Sequence, residues 1–519
     1  MQLRPYLEHD RTLIEQTHLV DPGIIHAEYS TGLDEDALGR IVAVADGKLL
    51  GYIEYTRPHG TVVNELSTGG AEPVQCGIAQ NLFVADGAER EAVAAGLLDA
   101  ARMSIWEQGL QPVVLAVGDM PASWGTDPGV ETSTGQVRWG QEPESLMHDL
   151  VHSGIRDGGI GSVATAIEVS TTYKIEVPGQ YGEFAYARSL NPTRKALEEA
   201  LAVAEGGGRA MAFSSGLAAI DAVLRLLSPG ESVMLGKDAY GGTWRLLDKV
   251  WRKHGIGVQI VDLENPEAVA AEWDQNTKMV MLETPSNPRM QVVDIQKIAE
   301  IAKRRGALCI VDNTFATPYL QRPLDLGADV VVHSATKYLG GHSDVVAGAL
   351  ITRDANLAKE FVFTQKAVGA VPGPFDSFLV LRGMRTLGVR VERQSRTAAG
   401  LAEMLQRHEK IERVYYPGLT THPNHDVAAR QMRMFGGMLS IDVKGGAEAA
   451  RKLAGSCQVF ALAESLGAVE SLIEHPYSMT HAASNESELE VSTGLVRLSI
   501  GLEEQWILAK DLQQALAGI

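Results

Sequence analysis

The feature that most constrains the fold is a set of three short apolar segments in the second half of the chain, each followed at once by polar residues. Such runs, rich in β-branched side chains, are typical of strands that are buried on both faces. A helix-like segment separates the first two, so the sequence predicts a parallel sheet with crossover helices. The three segments are residues 279–283, 307–311 and 329–332, and the helix is predicted over residues 294–305.

The polar residues that follow these segments include an amide, a carboxylate and an amine, on Asn287, Asp312 and Lys337. A single lysine after a strand is usually a solvated loop residue. Three different polar groups after three neighbouring strands indicate a binding site, because the carboxyl ends of parallel strands meet at one edge of a sheet, where ligands bind. We therefore expect these three side chains to converge on a ligand.

Length and composition bound the possible functions. The chain has 519 residues, enough for two to four domains, and a net charge of -19 that argues against a nucleic-acid or anionic-membrane partner. We find no signal peptide and no apolar run of about 18 residues. Its three cysteines are far apart and lack metal-ligand spacing. The sequence predicts a soluble cytoplasmic protein with no bound metal.

Residues 1–118 are predicted to form a separate α/β domain. An Asp-Gly turn at 46–47 lies within a hairpin over residues 41–55, and a helix over 89–108 lies between strands at 81–84 and 113–117. This order resembles the GNAT acyltransferase fold. The turn that would hold acyl-CoA phosphates lacks paired glycines and carries two glutamates, which favours a degenerate domain for packing, partner contact or sensing. The alternative is an acyl-CoA-dependent acyltransferase.

The rest of the chain divides by composition. Residues 119–150 are rich in Gly, Pro, Ser and Thr and are predicted to be a linker. We then predict an N-terminal arm over residues 151–205, a large cofactor-binding domain over 206–395 and a small C-terminal domain over 396–519. The arm ends in a helix that Asn191 caps and Pro192 begins.

A second helix start is predicted within residues 213–220, where a short strand turns into a helix. Small residues at this turn would leave backbone N–H groups exposed at the positive end of a helix, which suits a phosphate. The alternative is an ordinary helix start capped by Ser215.

Eight motifs, in the same order, make residues 150–519 resemble the Cys/Met-metabolism family of pyridoxal-phosphate (PLP) enzymes, which includes cystathionine γ-synthase and cystathionine γ-lyase. The resemblance implies an α/β fold of PLP fold type I, with a mainly parallel large-domain sheet and a small C-terminal α/β domain. The motifs are Tyr186-Ala187-Arg188, Ser214-Ser215-Gly216-Leu217-Ala218-Ala219, Tyr240-Gly241-Gly242-Thr243, Ser286-Asn287-Pro288, Asp312-Asn313-Thr314, Ser334-Ala335-Thr336-Lys337, Glu464-Ser465-Leu466-Gly467 and Arg497-Leu498-Ser499.

The family implies cofactor-binding roles for residues of these motifs. Lys337 would hold the cofactor as a Schiff base and carry the proton at Cα. Asp312 would pair with the pyridine nitrogen, because a nearby anion keeps that nitrogen protonated. The phosphate would be held by backbone amides and hydroxyl groups, those of Gly216, Leu217, Ser334 and Thr336.

Further roles concern the cofactor ring and a second subunit. Tyr240 would stack on the ring and take part in catalysis, and Asn287 would lie near the phenolic oxygen and the substrate carboxylate. Tyr186 and Arg188 resemble a pair that a neighbouring subunit supplies to the cofactor site. The resemblance therefore implies a homodimeric active site, usually within a homotetramer.

Substrate contacts are implied at four more positions. Arg497, with Ser465, would bind the substrate carboxylate, since a guanidinium offers a planar two-bond fork. Glu464 and Arg245 match positions near the distal end of the substrate, and Tyr186 would also face the substrate.

The implied reaction is γ-replacement on a homoserine-derived or other γ-activated amino acid, through a vinylglycine-type intermediate. The alternative is C–S γ-elimination of the cystathionine γ-lyase type. Methionine γ-lyases carry a cysteine where Gly242 stands, and bacterial-type cystathionine β-lyases lack the glutamate at position 464, which argues against both.

Three departures from the family pattern suggest a specialised nucleophile. Ala185 replaces an acidic residue that helps to bind a distal amino group, Leu190 replaces a glycine, and Trp244 adds bulk beside Arg245. Loss of an acid and gain of apolar volume disfavour a zwitterionic nucleophile. We hypothesise γ-substitution with an unusual nucleophile.

Overall fold

The computed structural model describes residues 161–480 and 491–519 in full, residues 142–154 as a helix with its following turn, and seven strands nearer the N-terminus. The chain divides into two compact units, Met1–Pro143 and Glu144–Ile519. The predicted linker, residues 119–150, includes two of the strands and most of the helix.

The described strands of the first unit form a sheet in the order β1-β2-β3-β4-β5-β7-β6, antiparallel except for the parallel pair β4 and β5. Strands β2 and β3 pair on either side of residues 46–47, which confirms the predicted hairpin. The predicted helix over 89–108, with its glutamate-containing turn, lies outside the described residues. The strands are β1 (Gln2–Pro5), β2 (Ala37–Ala45), β3 (Lys48–Thr56), β4 (Cys76–Val84), β5 (Gln111–Leu115), β6 (Glu131–Ser133) and β7 (Gln136–Arg138).

The larger sheet of the second unit has the order β10-β9-β11-β12-β13-β14-β8 among the described strands. Its neighbours from β10 to β13 are parallel, whereas β14 pairs antiparallel with both β13 and β8, so the prediction of a mainly parallel sheet is confirmed. The strands are β8 (Arg209–Phe213), β9 (Ser232–Gly236), β10 (Gly257–Val261), β11 (Thr277–Glu283), β12 (Leu308–Asp312), β13 (Val330–His333) and β14 (Gly348–Thr352).

Helices cover both faces of this sheet, as is usual for a mainly parallel sheet. Alternate side chains of a strand point to opposite faces and therefore pack into different cores. In β13, Val330 and Val332 join one core cluster and Val331 joins another. The helices are α1 (Glu142–His152), α2 (Pro192–Ala204), α3 (Gly216–Leu224), α4 (Gly241–Lys249), α5 (Pro266–Ala271), α6 (Ile295–Arg304), α7 (Thr317–Leu320), α8 (Ala355–Val368), α9 (Pro374–Met384) and α10 (Leu387–Gln406).

Helix starts follow the local sequence. The Asn191 side chain accepts hydrogen bonds from the backbone N–H groups of Thr193 (2.9 Å) and Arg194 (3.1 Å), which confirms the predicted cap of α2. Asp294 caps α6 in the same way through Lys297 N–H at 3.1 Å. An oxygen on a short side chain satisfies N–H groups that the first helical turn leaves without a partner.

The C-terminal lobe packs a second sheet against α10 and two further helices. Its strand order is β15-β16-β19-β18-β17, antiparallel except for β17 with β18. Leu439, Val496 and Leu512 belong to a core cluster of this lobe, which also includes Leu401 of α10. The elements are β15 (Ile411–Tyr415), α11 (His425–Gln431), β16 (Met438–Val443), α12 (Gly446–Ser456), β17 (Ala461–Leu462), β18 (Leu472–Glu474), β19 (Leu495–Ser499) and α13 (Gln505–Ala517).

In the part of the chain that the structure describes, none of the helices combines the length and the hydrophobicity needed to cross a bilayer.

Candidate active site

A cavity of about 350 Å³ lies at the carboxyl ends of β11, β12 and β13 and is closed on another side by the C-terminal lobe. Most of the residues predicted to form the site line it, and Tyr186, Arg188 and Arg245 are not among its lining residues. The predicted residues that line it are Gly216, Leu217, Tyr240, Asn287, Asp312, Ser334, Thr336, Lys337, Glu464, Ser465 and Arg497.

The Lys337 amine projects into this cavity after the end of β13. Its Nζ donates a hydrogen bond to the Oγ of Ser465 at 2.8 Å. Burial, followed by the positive charge of Arg497, lowers the pKa of Lys337 to about 8. A larger share of this amine is therefore neutral, and hence nucleophilic and basic, near neutral pH than in an ordinary lysine.

Asp312, at the end of β12, places a half-buried carboxylate in the wall of the cavity. Its Oδ1 accepts hydrogen bonds from the backbone N–H of Thr314 (3.0 Å) and from its hydroxyl (2.5 Å). Burial raises the pKa of Asp312, and the two hydrogen bonds from Thr314 oppose that rise. In the described part of the chain no lysine or arginine forms an ion pair with it, so its charge is left for a cationic ligand.

A second carboxylate, Glu283, lies beside Asp312 because β11 and β12 pair in a register that sets these residues opposite each other. Burial raises the pKa of Glu283 well above its usual value, and the charge of Asp312 raises it further. Glu283 Oε1 accepts a hydrogen bond from the backbone N–H of Tyr240 at 2.8 Å, which holds the segment that carries the tyrosine ring.

The turn before α3 supplies an anion-binding surface. Ser215 caps the helix by accepting a hydrogen bond from Ala218 N–H at 3.1 Å, as the simpler of the two interpretations predicted. Gly216 lies so close to Ser334 that a β-carbon there would be 2.9 Å from the serine Cβ. Only glycine therefore lets the helix N-terminus, with the backbone N–H groups of its first turn, lie against the Ser334–Lys337 segment.

Thr336 and Ser334 are both tied to neighbouring strands. The Thr336 hydroxyl donates to the carbonyl of Ala347 and accepts from its N–H, both at 3.1 Å. The backbone N–H of Ser334 donates to the Thr314 hydroxyl at 2.9 Å, so the segments after β12 and β13 are held together.

Tyr240 lies at the start of α4 with its ring over Gly242. A β-carbon at position 242 would be 2.3 Å from the Tyr240 Cε1, so the ring position requires glycine there. Burial raises the pKa of Tyr240, and the positive charge of Arg245 opposes that rise. Arg245 is exposed and interacts with Tyr240 electrostatically rather than lining the cavity.

Arg497, on β19, is a buried residue in the part of the cavity wall that the C-terminal lobe forms. Its Nη1 contacts Glu474 Oε1 at 3.0 Å and donates to Asn287 Oδ1 at 2.8 Å, and its Nη2 donates to the carbonyl of Ser465 at 2.8 Å. Ser465 has a φ of +96°, a conformation that costs about 1–3 kcal/mol for a residue with a side chain and is usually retained for function.

Tyr186 and Arg188 lie on the surface of this chain, before α2. Arg188 donates to the carbonyl of Lys366 at 2.6 Å, and its guanidinium lies 5.6 Å from the Tyr186 ring centroid. The buried Arg194 side chain donates to the carbonyls of Ala187 (2.8 Å) and Arg188 (3.3 Å) and so fixes this loop.

Sequence reasoning missed Glu283, Thr314 and Glu474 as site residues. Glu283 ends a predicted strand beside the strand of Asp312, so the strand-end argument that found Asn287 could have found it. Glu474 had no such signal, because it reaches Arg497 only through the antiparallel register of β18 and β19.

Comparisons with known proteins agree with this geometry. The family model described as "Cys/Met metabolism PLP-dependent enzyme" matches residues 148–517. The chain belongs to this family and is a PLP-dependent enzyme.

Individual relatives carry two different names. The cystathionine gamma-synthase of Mycobacterium tuberculosis is 52% identical over 369 residues, which cover 70% of this chain and 95% of that protein. A cystathionine beta-lyase of Lactococcus lactis subsp. cremoris is 50% identical over 376 residues, covering 72% and 99%. The crystal structure of cystathionine gamma synthase from Xanthomonas oryzae pv. oryzae in complex with cystathionine is 45% identical, with a TM-score of 0.70, and covers 72% of this chain and 97% of that one.

The cavity fits the cofactor of the family. It offers an amine with a lowered pKa on Lys337, a carboxylate on Asp312 that forms no ion pair with a lysine or arginine among the described residues, and a helix N-terminus whose close approach requires Gly216. These are the groups that an aldehyde, a protonated ring nitrogen and a phosphate require.

Proposed function

We propose that the chain catalyses γ-replacement on a homoserine-derived amino acid, the reaction type of a cystathionine γ-synthase. The observation that carries the proposal is the Lys337–Ser465–Arg497 arrangement in one cavity, where a basic amine and a carboxylate-binding guanidinium share Ser465 as a hydrogen-bond partner. Relatives named cystathionine gamma-synthase, at 50–52% identity, support it.

The cofactor, when bound, supplies an electron sink that makes the substrate Cα proton acidic. Lys337 would hold the cofactor and then move the Cα proton. Asp312 would keep the pyridine nitrogen protonated, because a nearby anion favours the protonated ring. Burial and the charge of Asp312 raise the pKa of Glu283, which favours Asp312 as the ionised member of the pair. The phosphate would lie at the N-terminus of α3, on the amides of Gly216 and Leu217 and the hydroxyls of Ser334 and Thr336.

Tyr240 would stack on the cofactor ring, and Arg497 would orient the substrate by its α-carboxylate. Asn287 supports this second role, because it accepts a hydrogen bond from Arg497 at 2.8 Å. Glu464, which lines the cavity, would face the γ-substituent. Arg245 would act from the cavity mouth through its charge.

A second copy of the chain would complete the site. Tyr186 and Arg188 are exposed, 44% in the case of Tyr186, so both side chains are available to a partner. Large apolar side chains on α8 and α9 are also exposed, including Phe363 at 68% and Phe375 at 59%. A homodimer, assembled further into a homotetramer, would bury such surface.

We propose further that the nucleophile is an unusual one, without the distal ammonium group of cysteine. Ala185 and Leu190 lie on the loop before α2, where loss of an acid and added apolar volume disfavour a distal ammonium group. Trp244 adds less to the apolar character of the substrate pocket, because its ring packs against the core cluster that includes α3. The Arg252 guanidinium covers the same ring, with its Cζ 5.6 Å from the ring centroid.

The test is a product analysis of the purified enzyme. O-Acetyl- and O-succinylhomoserine are supplied with cysteine and with a series of thiols that lack an amino group. Thioether products support γ-replacement, and faster reaction with the uncharged thiols supports the altered nucleophile. 2-Oxobutyrate and ammonia, released with the acetate or succinate leaving group and without a thioether, would establish γ-elimination instead. Pyruvate from cystathionine would establish β-elimination, which the Lactococcus relative performs according to its name.

For the first unit we propose a GNAT-like domain that does not catalyse acyl transfer. The parallel pairing of β4 with β5 supports the fold, because parallel neighbours require a crossover such as the helix predicted over residues 89–108. Calorimetry of the full chain with acetyl-CoA tests whether the first unit lacks acyl-transfer activity, since binding of acetyl-CoA would favour the acyltransferase alternative.

We also propose a cytoplasmic location. Cys309 and Cys457 are free thiols, and burial raises the pKa of both, to about 12 for Cys457. Unpaired, unreactive cysteines are typical of a reducing compartment.

A further inference from the structure

Glu474 is held directly against the arginine that faces the cavity. Residues 474 and 497 are opposite each other on the antiparallel strands β18 and β19, and the Glu474 carboxylate meets Arg497 Nη1 at 3.0 Å. Both side chains are buried, at 1% and 3% exposure. The backbone of a central strand pair therefore fixes where the two charges meet.

Counting donors shows which part of Arg497 the protein uses. A guanidinium has five N–H donors in a rigid plane. Nη1 is shared between Glu474 and Asn287, and Nη2 donates to the carbonyl of Ser465. The Nε–H is buried and has no acceptor among the described residues. Nε and Nη2 lie along the same edge of the plane, so this edge holds the donor that a ligand must satisfy.

The Glu474 carboxylate is itself fixed. Its Oε1 also accepts a hydrogen bond from the hydroxyl of Thr480 at 2.9 Å. The anion is thus held at the Nη1 end of the guanidinium, away from the Nε edge. Since Glu474 already balances the charge of Arg497, recognition of a second carboxylate depends on the two-bond geometry of that edge more than on net charge.

We propose that Glu474 is a positioning residue that holds Arg497 by its Nη1, so that the Nε–Nη2 edge receives the α-carboxylate of the amino-acid substrate. This inference depends on the proposed function only in taking an α-amino acid as the substrate. It applies equally to γ-replacement, γ-elimination and β-elimination.

The test measures recognition of the carboxylate without turnover. The PLP-loaded enzyme is titrated with L-norvaline and with L-norvalinamide, which lacks the carboxylate charge, and the change in cofactor absorbance gives each Kd. Neither compound has a γ-leaving group, so the result does not depend on the proposed reaction. The variants are Glu474→Ala, Glu474→Gln and Glu474→Asp, with Asp511→Asn as a matched buried carboxylate of the same lobe, which accepts N–H groups of residues 458–460.

The ratio of the two Kd values is the decisive quantity. Glu474→Ala should lower the preference for norvaline about tenfold or more, while Glu474→Gln, which keeps an acceptor oxygen at Nη1, and Asp511→Asn should stay within about threefold of the unaltered enzyme. If the alanine variant fails to fold, Glu474→Asp replaces it in the test. The shorter side chain moves the carboxylate oxygen away from Arg497 Nη1, so this variant should also lower the preference for norvaline over norvalinamide.

An unchanged ratio in both Glu474→Ala and Glu474→Asp would overturn the inference. An equal loss in Asp511→Asn would overturn it too, because the effect would then follow from general destabilisation of the lobe. Thermal unfolding of each variant, measured in parallel, supplies that stability comparison.

Discussion

At the scale of single residues, burial in a cavity of mixed charge changes the chemistry of ordinary side chains. Lys337 is the clearest case, because burial and Arg497 favour the neutral amine and lower its pKa to about 8. At pH 8 about half of this amine is unprotonated, whereas an ordinary lysine is about 1% unprotonated or less.

The rate at which the apoenzyme takes up PLP should therefore rise with pH and level off just above pH 8, because only the neutral amine attacks the aldehyde. Stopped-flow absorbance measures this rate, and N-acetyl-lysine amide provides the unperturbed control. A rate that keeps rising to about pH 10, as expected of an unperturbed lysine, would contradict the lowered pKa.

A second residue-scale prediction concerns Gly242. Changing it to cysteine, the residue of methionine γ-lyases, places a β-carbon 2.3 Å from the present position of the Tyr240 ring. The ring must move, so we expect a changed absorbance or circular dichroism band of bound PLP and a fall in kcat. Gly455→Ala is the matched control, because a β-carbon there meets no atom within 4 Å. An unaltered cofactor spectrum in Gly242→Cys would show that the ring does not depend on this glycine.

At the scale of elements, strand ends and helix caps decide where functional groups lie. The sequence predicted β11, β12, β13 and the cap of α2, because short β-branched runs and an Asn-Pro pair are local signals. It could not predict the partner of Arg497, because Glu474 and Arg497 meet only through a long-range antiparallel register. Similarly, Ser215 reads as a helix cap from sequence, but its closeness to the Lys337 segment depends on packing at Gly216.

The cap of α2 makes an element-scale prediction. Asn191→Ala removes two bonds to helix N–H groups and one to the carbonyl of Glu168, so the free energy of unfolding should fall by about 1–2 kcal/mol or slightly more. Asn265→Ala, at the exposed cap of the short helix α5, should cost about 1 kcal/mol or less. Urea denaturation of both variants compares them, and equal losses would show that burial of the first cap adds nothing.

At the scale of the whole molecule, the family fold occupies the second unit alone. The aligned part of this chain covers 95% of the Mycobacterium synthase, and the second unit begins at Glu144. We expect a protein comprising residues 144–519 to fold, bind PLP and keep kcat within about threefold of the full chain, because the family model matches residues 148–517, which all lie within the second unit. Absorbance of the bound cofactor and steady-state kinetics check this, and an insoluble or colourless product would contradict it.

The hydrogen bond between Lys337 and Ser465 has a wider consequence, since it joins the large sheet to the C-terminal lobe. Catalysis therefore depends on how the two lobes dock, whereas much of the secondary structure is supported by core clusters that lie within one lobe. On adding urea, turnover should decline at concentrations where the far-ultraviolet circular dichroism is still native, so the reaction rate becomes a sensitive measure of lobe separation.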